Sequence, residues 1–177
     1  MSTILSYKIH TVTPYINWIY FFHAWGFQPR YAAIANIHGC DACRAMWLAS
    51  FPVEERNKAS EAMQLFKEAN RMLDVLDRDY EVRTIFKLCK ANSDGDNLVI
   101  EKAENQFMVF PLLRQQTPKK DGSPFLCLSD FIRPLSSGIP DTIGAFASCI
   151  DADMEGLYEQ DPYKHLLVQT LSDRLAE

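Results

Sequence analysis

The sequence DGSPFLCLSDFIRPLSSGIPDTIGAFASCI, residues 121–150, decides the fold, because it joins turn residues to an apolar run. Its first part mixes Pro, Ser and Gly with Asp and Arg, and follows no regular period. An irregular backbone between core segments must satisfy its own N–H and C=O groups. We therefore expect a well-packed loop or part of a site, followed by a strand over Thr142–Ile150 in which Gly144 allows close backbone approach.

Two helices are indicated by apolar residues at helical spacing. Lys58–Tyr80 carries one apolar stripe opposite a charged face, which is typical of a surface helix packed on a core. Asp161 and Pro162 are the residues favoured at the N-cap and the first position of a helix, and apolar spacing continues to Leu175.

A third helix is predicted in the aromatic segment that follows Thr13 and Pro14. Thr13 is its expected N-cap, Pro14 its first residue, and Gly26 with Pro29 end it after Trp25. So many aromatic residues on one helix predict that it is largely buried or docks on something.

Strands are predicted where apolar and polar residues alternate along the chain. The alternation is weak in the N-terminal segment. These segments are Ile4–Val12, Thr84–Cys89, Leu98–Ile100, Phe107–Leu113 and Thr142–Ile150, with a hairpin turn at residues 103–106. Strands beside discrete helices, without βαβ alternation, predict an α+β fold. The length of 177 residues predicts a single domain, residues 1–177.

Charge and composition exclude several classes of protein. The net charge of −5 and the pI near 5.4 argue against nucleic-acid binding, which depends on Lys and Arg. No apolar run is long enough to span a membrane, and no secretory signal begins the chain. Five scattered cysteines argue against a disulfide framework, so we expect a reducing, cytoplasmic setting.

The sharpest local motif is His38-Gly39-Cys40-Asp41-Ala42-Cys43, which offers two thiolates and an imidazole at metal-binding spacing. A closed structural zinc site needs four ligands, and no second pair follows. The alternatives are a metal or redox site and a turn with two reduced thiols.

Two further segments favour structural roles. Residues 90–101 partly match a calcium loop, but Lys90 and Asn97 occupy positions where a carboxylate and an apolar residue belong, so a tight turn is expected. Arg114 ends an apolar strand, where it can position a ligand or satisfy loop backbone. No self-contained catalytic centre is evident, since the histidines lie in no nucleophile motif and no phosphate loop occurs.

Read together, a series of short motifs resembles the activation (reactivation) domain of cobalamin-dependent methionine synthase. The motifs follow the family's order along most of the chain: Tyr15-Ile16-Asn17-Trp18, Gln64–Asn70, Met72–Asp74, Lys90–Asn92, Leu113–Gln116, Cys127–Ile132, Ser137-Gly138, Asp141–Ala147 and Leu171–Glu177.

The resemblance implies an α+β domain, with helices around a central antiparallel sheet, that binds S-adenosylmethionine. It implies that this methyl donor remethylates cob(II)alamin held by a cobalamin-binding module, with an electron from a flavodoxin-type reductant. Asn17 and Glu177 match family positions that bind S-adenosylmethionine, and Trp18 and Arg114 are possible site-lining residues. The chain would thus be part of a methyltransferase system in methionine biosynthesis.

The sequence departs from the family pattern at three places. The family has Asp where Asn17 stands, its main S-adenosylmethionine loop lies beyond Glu177, and residues 36–57 form an atypical insertion. We therefore expect a weak or partial site and a chain without the family's C-terminal part. Two alternatives stay open: a non-catalytic scaffold that has lost its ligand, and a metal-binding regulator using His38, Cys40 and Cys43.

Overall fold

The computed structural model describes residues 3–103 and 106–177. Its helices and strands are, in chain order, β1 (Thr3–Lys8), α1 (Ile9–Val12), α2 (Trp18–Ala24), α3 (Asp41–Ala49), α4 (Arg56–Leu76), β2 (Glu81–Asp94), β3 (Asn97–Ala103), β4 (Gln106–Pro111), β5 (Asp141–Ile150), α5 (Ala152–Glu155) and α6 (Pro162–Ala176). Short 3-10 segments occupy Thr13–Tyr15, Pro29–Asn36, Val53–Glu55, Leu128–Phe131 and Leu135–Ser137. The predicted α+β class, with an antiparallel sheet, is confirmed.

The strands form one sheet in the order β1-β2-β3-β4, and β5 also pairs with β2. Strands β2 and β3 form a hairpin in which Asp94 lies opposite Asn97, and Gly95 adopts a φ of 58° in the turn. The expected tight turn is thereby confirmed. Lys90 and Glu101, which would begin and end a calcium loop, instead pair with each other at 3.4 Å.

The second hairpin pairs β3 with β4, from Asn97 opposite Pro111 to Ala103 opposite Gln106. The turn predicted at residues 103–106 includes residues 104 and 105, which lie outside the described residues. The strands on both sides of that turn are as predicted, although each is bounded differently from its expected range.

The chain divides into two compact units. One consists mainly of Ile85–Ala147, which we call the sheet unit, and the other of Ile4–Thr84 with Ser148–Glu177, which we call the helical unit. Both contain part of β2 and part of β5, because these two strands run from one unit into the other.

A continuous apolar core fills the helical unit. Helix α4 buries one stripe, as predicted, and α6 buries a second. The fully buried large side chains include Ile9, Phe21, Phe22, Leu76, Leu167 and Leu171. Asp161 caps α6 as predicted, since its Oδ1 accepts a hydrogen bond from the Lys164 N–H at 3.2 Å.

The prediction for the aromatic segment was wrong at its start. Thr13 and Pro14 lie in a separate 3-10 turn, and α2 begins only at Trp18. Asn17 caps it, because the Asn side chain accepts the hydrogen bond that an N-cap must accept. Only Phe21 and Phe22 of α2 are buried, whereas Tyr20 is 55% exposed.

In the sheet unit, the irregular stretch that follows β4 is a hydrogen-bonded structural loop. The Asn92 side chain donates to the carbonyls of Arg133 and Ile139, at 3.1 and 2.9 Å, and Ser93 Oγ donates to Ile132 at 2.8 Å. The Asp141 carboxylate accepts from the Arg133 N–H at 3.0 Å. These bonds satisfy backbone groups for which an irregular loop has no ladder partner.

Strand β5 follows this loop, and the expected close approach at Gly144 is present. A Cβ at this position would lie 3.0 Å from the Phe86 ring, so only glycine fits without displacing β2 side chains.

Large apolar side chains of the sheet unit are exposed to solvent. Strand β4 is exposed at every residue, and the strongly exposed apolar residues of the unit include Leu88, Phe107, Leu113, Leu128, Phe131 and Phe146. Among residues 3–103 and 106–177, no helix combines the length and the hydropathy that crossing a bilayer requires.

The core of the helical unit should respond to truncation in α6. We expect Leu171→Ala to lower the free energy of unfolding by about 2–5 kcal/mol, because the side chain is fully buried. The control Leu166→Ala, on the same helix but 48% exposed, should cost about 0.5 kcal/mol or less. Urea unfolding followed by circular dichroism measures both, and equal losses would contradict the assigned core.

Candidate functional site

Asn17 lies at the first turn of α2, on the surface of the helical unit. Its Oδ1 accepts a hydrogen bond from the Ile19 N–H at 3.2 Å, which satisfies one of the free donors at the start of the helix. The amide group of Asn17 remains exposed, so its Nδ2 faces solvent as a donor. Asn17 therefore has a structural role and can still contact a ligand.

Helices α2 and α6 pack antiparallel in the same unit. At one end the Arg174 guanidinium lies 5.8 Å from the Tyr20 ring, and at the other Trp25 contacts Tyr163 edge to face at 5.4 Å. The start of α2 and the end of α6 therefore lie at the same end of the pair.

Glu177 follows the last residue of α6, and its carboxylate accepts a hydrogen bond from the Arg174 guanidinium. Because of the antiparallel packing, Glu177 and Asn17 are at the same end of the α2–α6 pair. The structure thus places two of the predicted site residues on one side of the helical unit, and both side chains are exposed.

Trp18 is half-buried and lines two clefts in this unit. One cleft of about 350 Å³ is lined by Trp18 with His10, Asn36, Phe66 and Asp74 among others. A second, of about 370 Å³, is lined by Asn17 and Trp18 with Ala32 and Asn36 among others. The Trp18 ring is fixed by edge contacts to Phe21 at 5.2 Å and Phe66 at 4.8 Å. An aromatic wall with amide groups beside it can hold a planar or cationic ligand.

Arg114, the fourth predicted site residue, belongs to the sheet unit. Its guanidinium makes all of its hydrogen bonds within that unit. Its Nε and Nη2 donate to Asp96, and its Nη1 and Nη2 donate to Asp130, at 2.6–3.1 Å. The second Nη1 hydrogen goes to the carbonyl of Phe125 at 2.7 Å. All five N–H donors of the guanidinium are engaged, so Arg114 joins β4 to the hairpin turn and to the following loop.

This pairing has a clear electrostatic consequence. The hydrogen bonds from Arg114, together with that from the Cys127 N–H, lower the pKa of Asp130 to about 2, and the two carboxylates raise the pKa of Arg114. A ligand could accept a hydrogen bond from Arg114 only by displacing one of these bonds. Its role as a site-lining residue stays a prediction.

Sequence reasoning missed a cleft of about 720 Å³ lined by Trp25, Gln64, Glu68 and Tyr163 among others. Tyr163 donates a hydrogen bond to Glu68, which lowers the pKa of that carboxyl, while burial and the same carboxylate raise the pKa of Tyr163. Glu68 also accepts from Gln64 at 2.7 Å. The signal available in the sequence was only an ordinary i, i+4 pair on α4, which does not identify a cleft.

In the motif His38-Gly39-Cys40-Asp41-Ala42-Cys43, the side chains of His38, Cys40 and Cys43 lie close together at the start of α3. One ligand atom from each of His38, Cys40 and Cys43 lies within 4.8 Å of the other two. The His38 hydrogen bond is the main cause that lowers the pKa of Cys40 to about 7, and the bond to Cys40 raises the pKa of Cys43.

With this geometry established, comparison with known proteins identifies relatives. Residues 8–177 match the family described as "Vitamin B12 dependent methionine synthase, activation domain". The chain also resembles the crystal structure of the MetH reactivation domain bound to AdoHcy, with 32% sequence identity and a TM-score of 0.73. That similarity covers 99% of this chain, which spans only 51% of the length of the other.

The capping role of Asn17 can be separated from any role in binding. We expect Asn17→Ala to lower the free energy of unfolding by about 1 kcal/mol, because a helix donor loses its acceptor. Asn17→Asp should retain full stability, since a carboxylate caps equally well and favours the positive end of the helix. Chemical denaturation measures both, and an equal loss in the two variants would show that the loss does not come from the cap bond.

The Arg114 network should make stability depend on acid pH. Because the folded pKa of Asp130 lies below its ordinary value, the stabilisation is present above about pH 4 and is lost as pH falls through about 2. We expect Arg114→Met to lower the melting temperature at pH 7, and this difference from the unmodified protein should shrink toward pH 2. The exposed Lys120→Met is the charge-matched control. A difference that does not change with pH would exclude the proposed coupling.

Proposed function

Because the chain belongs to the family of activation domains of vitamin B12-dependent methionine synthases, we propose that it binds S-adenosylmethionine and presents the methyl group to a partner's cobalamin. The observation that carries this proposal is the family match over residues 8–177. The 32% identity to a reactivation domain bound to AdoHcy supports it, since AdoHcy is what remains of S-adenosylmethionine after methyl transfer.

The residues at the α2–α6 end suit such a ligand in part. The methyl donor carries a positive sulfonium, which is attracted to the face of an indole such as Trp18, and a planar adenine, which can pack on the face or edge of the same ring. Asn17 can donate one hydrogen bond from its free Nδ2, and the carboxylate of Glu177 can accept from an ammonium group. These contacts are fewer than a tight site needs, so we expect weak binding.

The cobalamin would be held by another module of methionine synthase, and it supplies the cobalt that receives the methyl group. The residues described here bind and orient the donor, and the single electron that reductive methylation needs comes from a flavodoxin-type reductant. Residues 1–177 would act as one activation-domain-like unit in which residues 36–57 form an insertion.

We also propose that the exposed strands of the sheet unit are covered in the working assembly. Side chains such as Phe107 and Phe146 are 61% and 70% exposed, and apolar patches of this kind mark interaction surfaces. The covering segment would correspond to the part of the related chain that this chain does not span.

The alternative function, a scaffold that has lost its ligand, has its own support. The Oδ1 of Asn17 is used as a helix cap and every donor of Arg114 is used inside the sheet unit. Two of the four expected site residues thus have structural roles that need no ligand.

Titration calorimetry with S-adenosylmethionine and with AdoHcy decides between these functions. We expect weak binding to the unmodified protein and about fivefold tighter binding to Asn17→Asp, because the carboxylate replaces the bond donated by the amide with a charge-assisted bond accepted from the ligand's ammonium group, a net gain of about 1 kcal/mol. Gln169→Glu, at an exposed position on α6, is the control with the same change in net charge and should leave the affinity unchanged.

The possible results distinguish the methyl-donor function from the scaffold function. Absence of binding to both the unmodified protein and Asn17→Asp would exclude the methyl-donor function and favour the scaffold. Binding that Asn17→Asp leaves unchanged would place the ligand away from the start of α2.

A further inference from the structure

We propose that His38, Cys40 and Cys43 form a zinc-binding site with one open coordination position. The site lies in the helical unit, between the 3-10 segment Pro29–Asn36 and the start of α3. It does not depend on S-adenosylmethionine binding.

The positions of the three donors carry the inference. A tetrahedral zinc site with ordinary Zn–S and Zn–N bond lengths holds its ligand atoms about 3.5–3.8 Å apart. The imidazole nitrogen and the two sulfur atoms here lie within 4.8 Å of one another, so shifts of about 1 Å bring all three onto one ion. Among residues 3–103 and 106–177, this is the one cluster of three such side chains with that convergence.

The backbone around the motif is fixed before any metal binds. Cys40 is the N-cap of α3, and its Sγ accepts a hydrogen bond from the Cys43 N–H at 3.3 Å. On one side the loop is anchored by Ile34, which is buried, and on the other by Trp47, which packs on Phe51 at 4.9 Å. A preorganised set of ligands loses less conformational freedom on binding.

The chemistry of the donors selects the class of metal. Two thiolates and an imidazole favour a borderline-soft ion such as Zn²⁺ over Ca²⁺ or Mg²⁺, which prefer oxygen ligands. Binding would release the thiol protons and give a set with no net charge, since two thiolates balance the ion. The Arg44 guanidinium of the same helix pairs with Asp41 at 3.7 Å.

Exposure determines what kind of site this is. His38 is exposed and both cysteines are half-buried, so solvent reaches the ion at its fourth position. Three protein ligands and one exchangeable position are the arrangement of reactive or exchangeable zinc sites, whereas closed structural sites use four protein ligands.

Cobalt substitution tests this proposal on the full chain, freed of metal with a chelator and kept reduced with a phosphine. We expect one equivalent of Co²⁺ to give thiolate-to-cobalt absorption and the visible bands of tetrahedral cobalt, and Zn²⁺ to abolish both. Competition with a chromophoric chelator should show that Cys40→Ser and Cys43→Ser weaken zinc binding at least about 100-fold, and His38→Gln at least about tenfold.

Cys149→Ser is the matched control, because this cysteine is exposed and lies on β5, away from the motif in sequence. It should leave affinity and spectrum unchanged, and circular dichroism checks that each variant folds. Absence of thiolate-to-cobalt absorption, or absorption that persists in Cys40→Ser and Cys43→Ser, would overturn the proposal.

Discussion

The antiparallel packing of α2 against α6 is the constraint on which the helical unit depends. Phe21 and Phe22 from one helix and Leu171 from the other are fully buried, and the fully buried Leu76 of α4 adds to the same core. Because burial of large apolar side chains is the main stabilising term, this packing fixes where the helix ends lie. The exposed residues Asn17 and Glu177 lie at the same end of the helix pair as a consequence, although neither contributes to the core.

Sequence periodicity was sufficient for the elements that bury one face. Helices α4 and α6 were predicted because apolar spacing and terminal residues agree there, as with Asp161 and Pro162. Strand β5 was predicted from its run of small apolar residues, although none of its residues is buried. The start of α2 was misplaced because Thr13-Pro14 and Asn17 are both good starting signals, and only tertiary packing chooses between them. Helix α3 and the long 3-10 segment before it were not assigned, because α3 is short and its N-cap is Cys40, which is not among the residues that usually start a helix.

The roles of individual side chains were less predictable from the sequence than the positions of the helices and strands. A cation at the end of a strand predicts either a ligand contact or a backbone contact, and only the structure shows that every donor of Arg114 has a partner within the protein. The convergence of His38 with Cys40 and Cys43 was suggested by spacing, but spacing alone does not orient an imidazole toward two sulfur atoms. Family resemblance indicated the class of ligand, whereas the structure shows which polar atoms are free to form hydrogen bonds with such a ligand.

The contrast between the two units has a consequence for local stability. The helical unit has a contiguous core, whereas among residues 85–103 and 106–147 of the sheet unit the buried apolar side chains are the small ones of Ala91 and Cys127. Because little apolar area is removed from water there, the sheet unit relies on the hydrogen bonds between its strands and on loop bonds such as those made by Asn92. Its amide protons should therefore exchange through subglobal openings that leave the helices intact, and anything that shields the strands would slow that exchange.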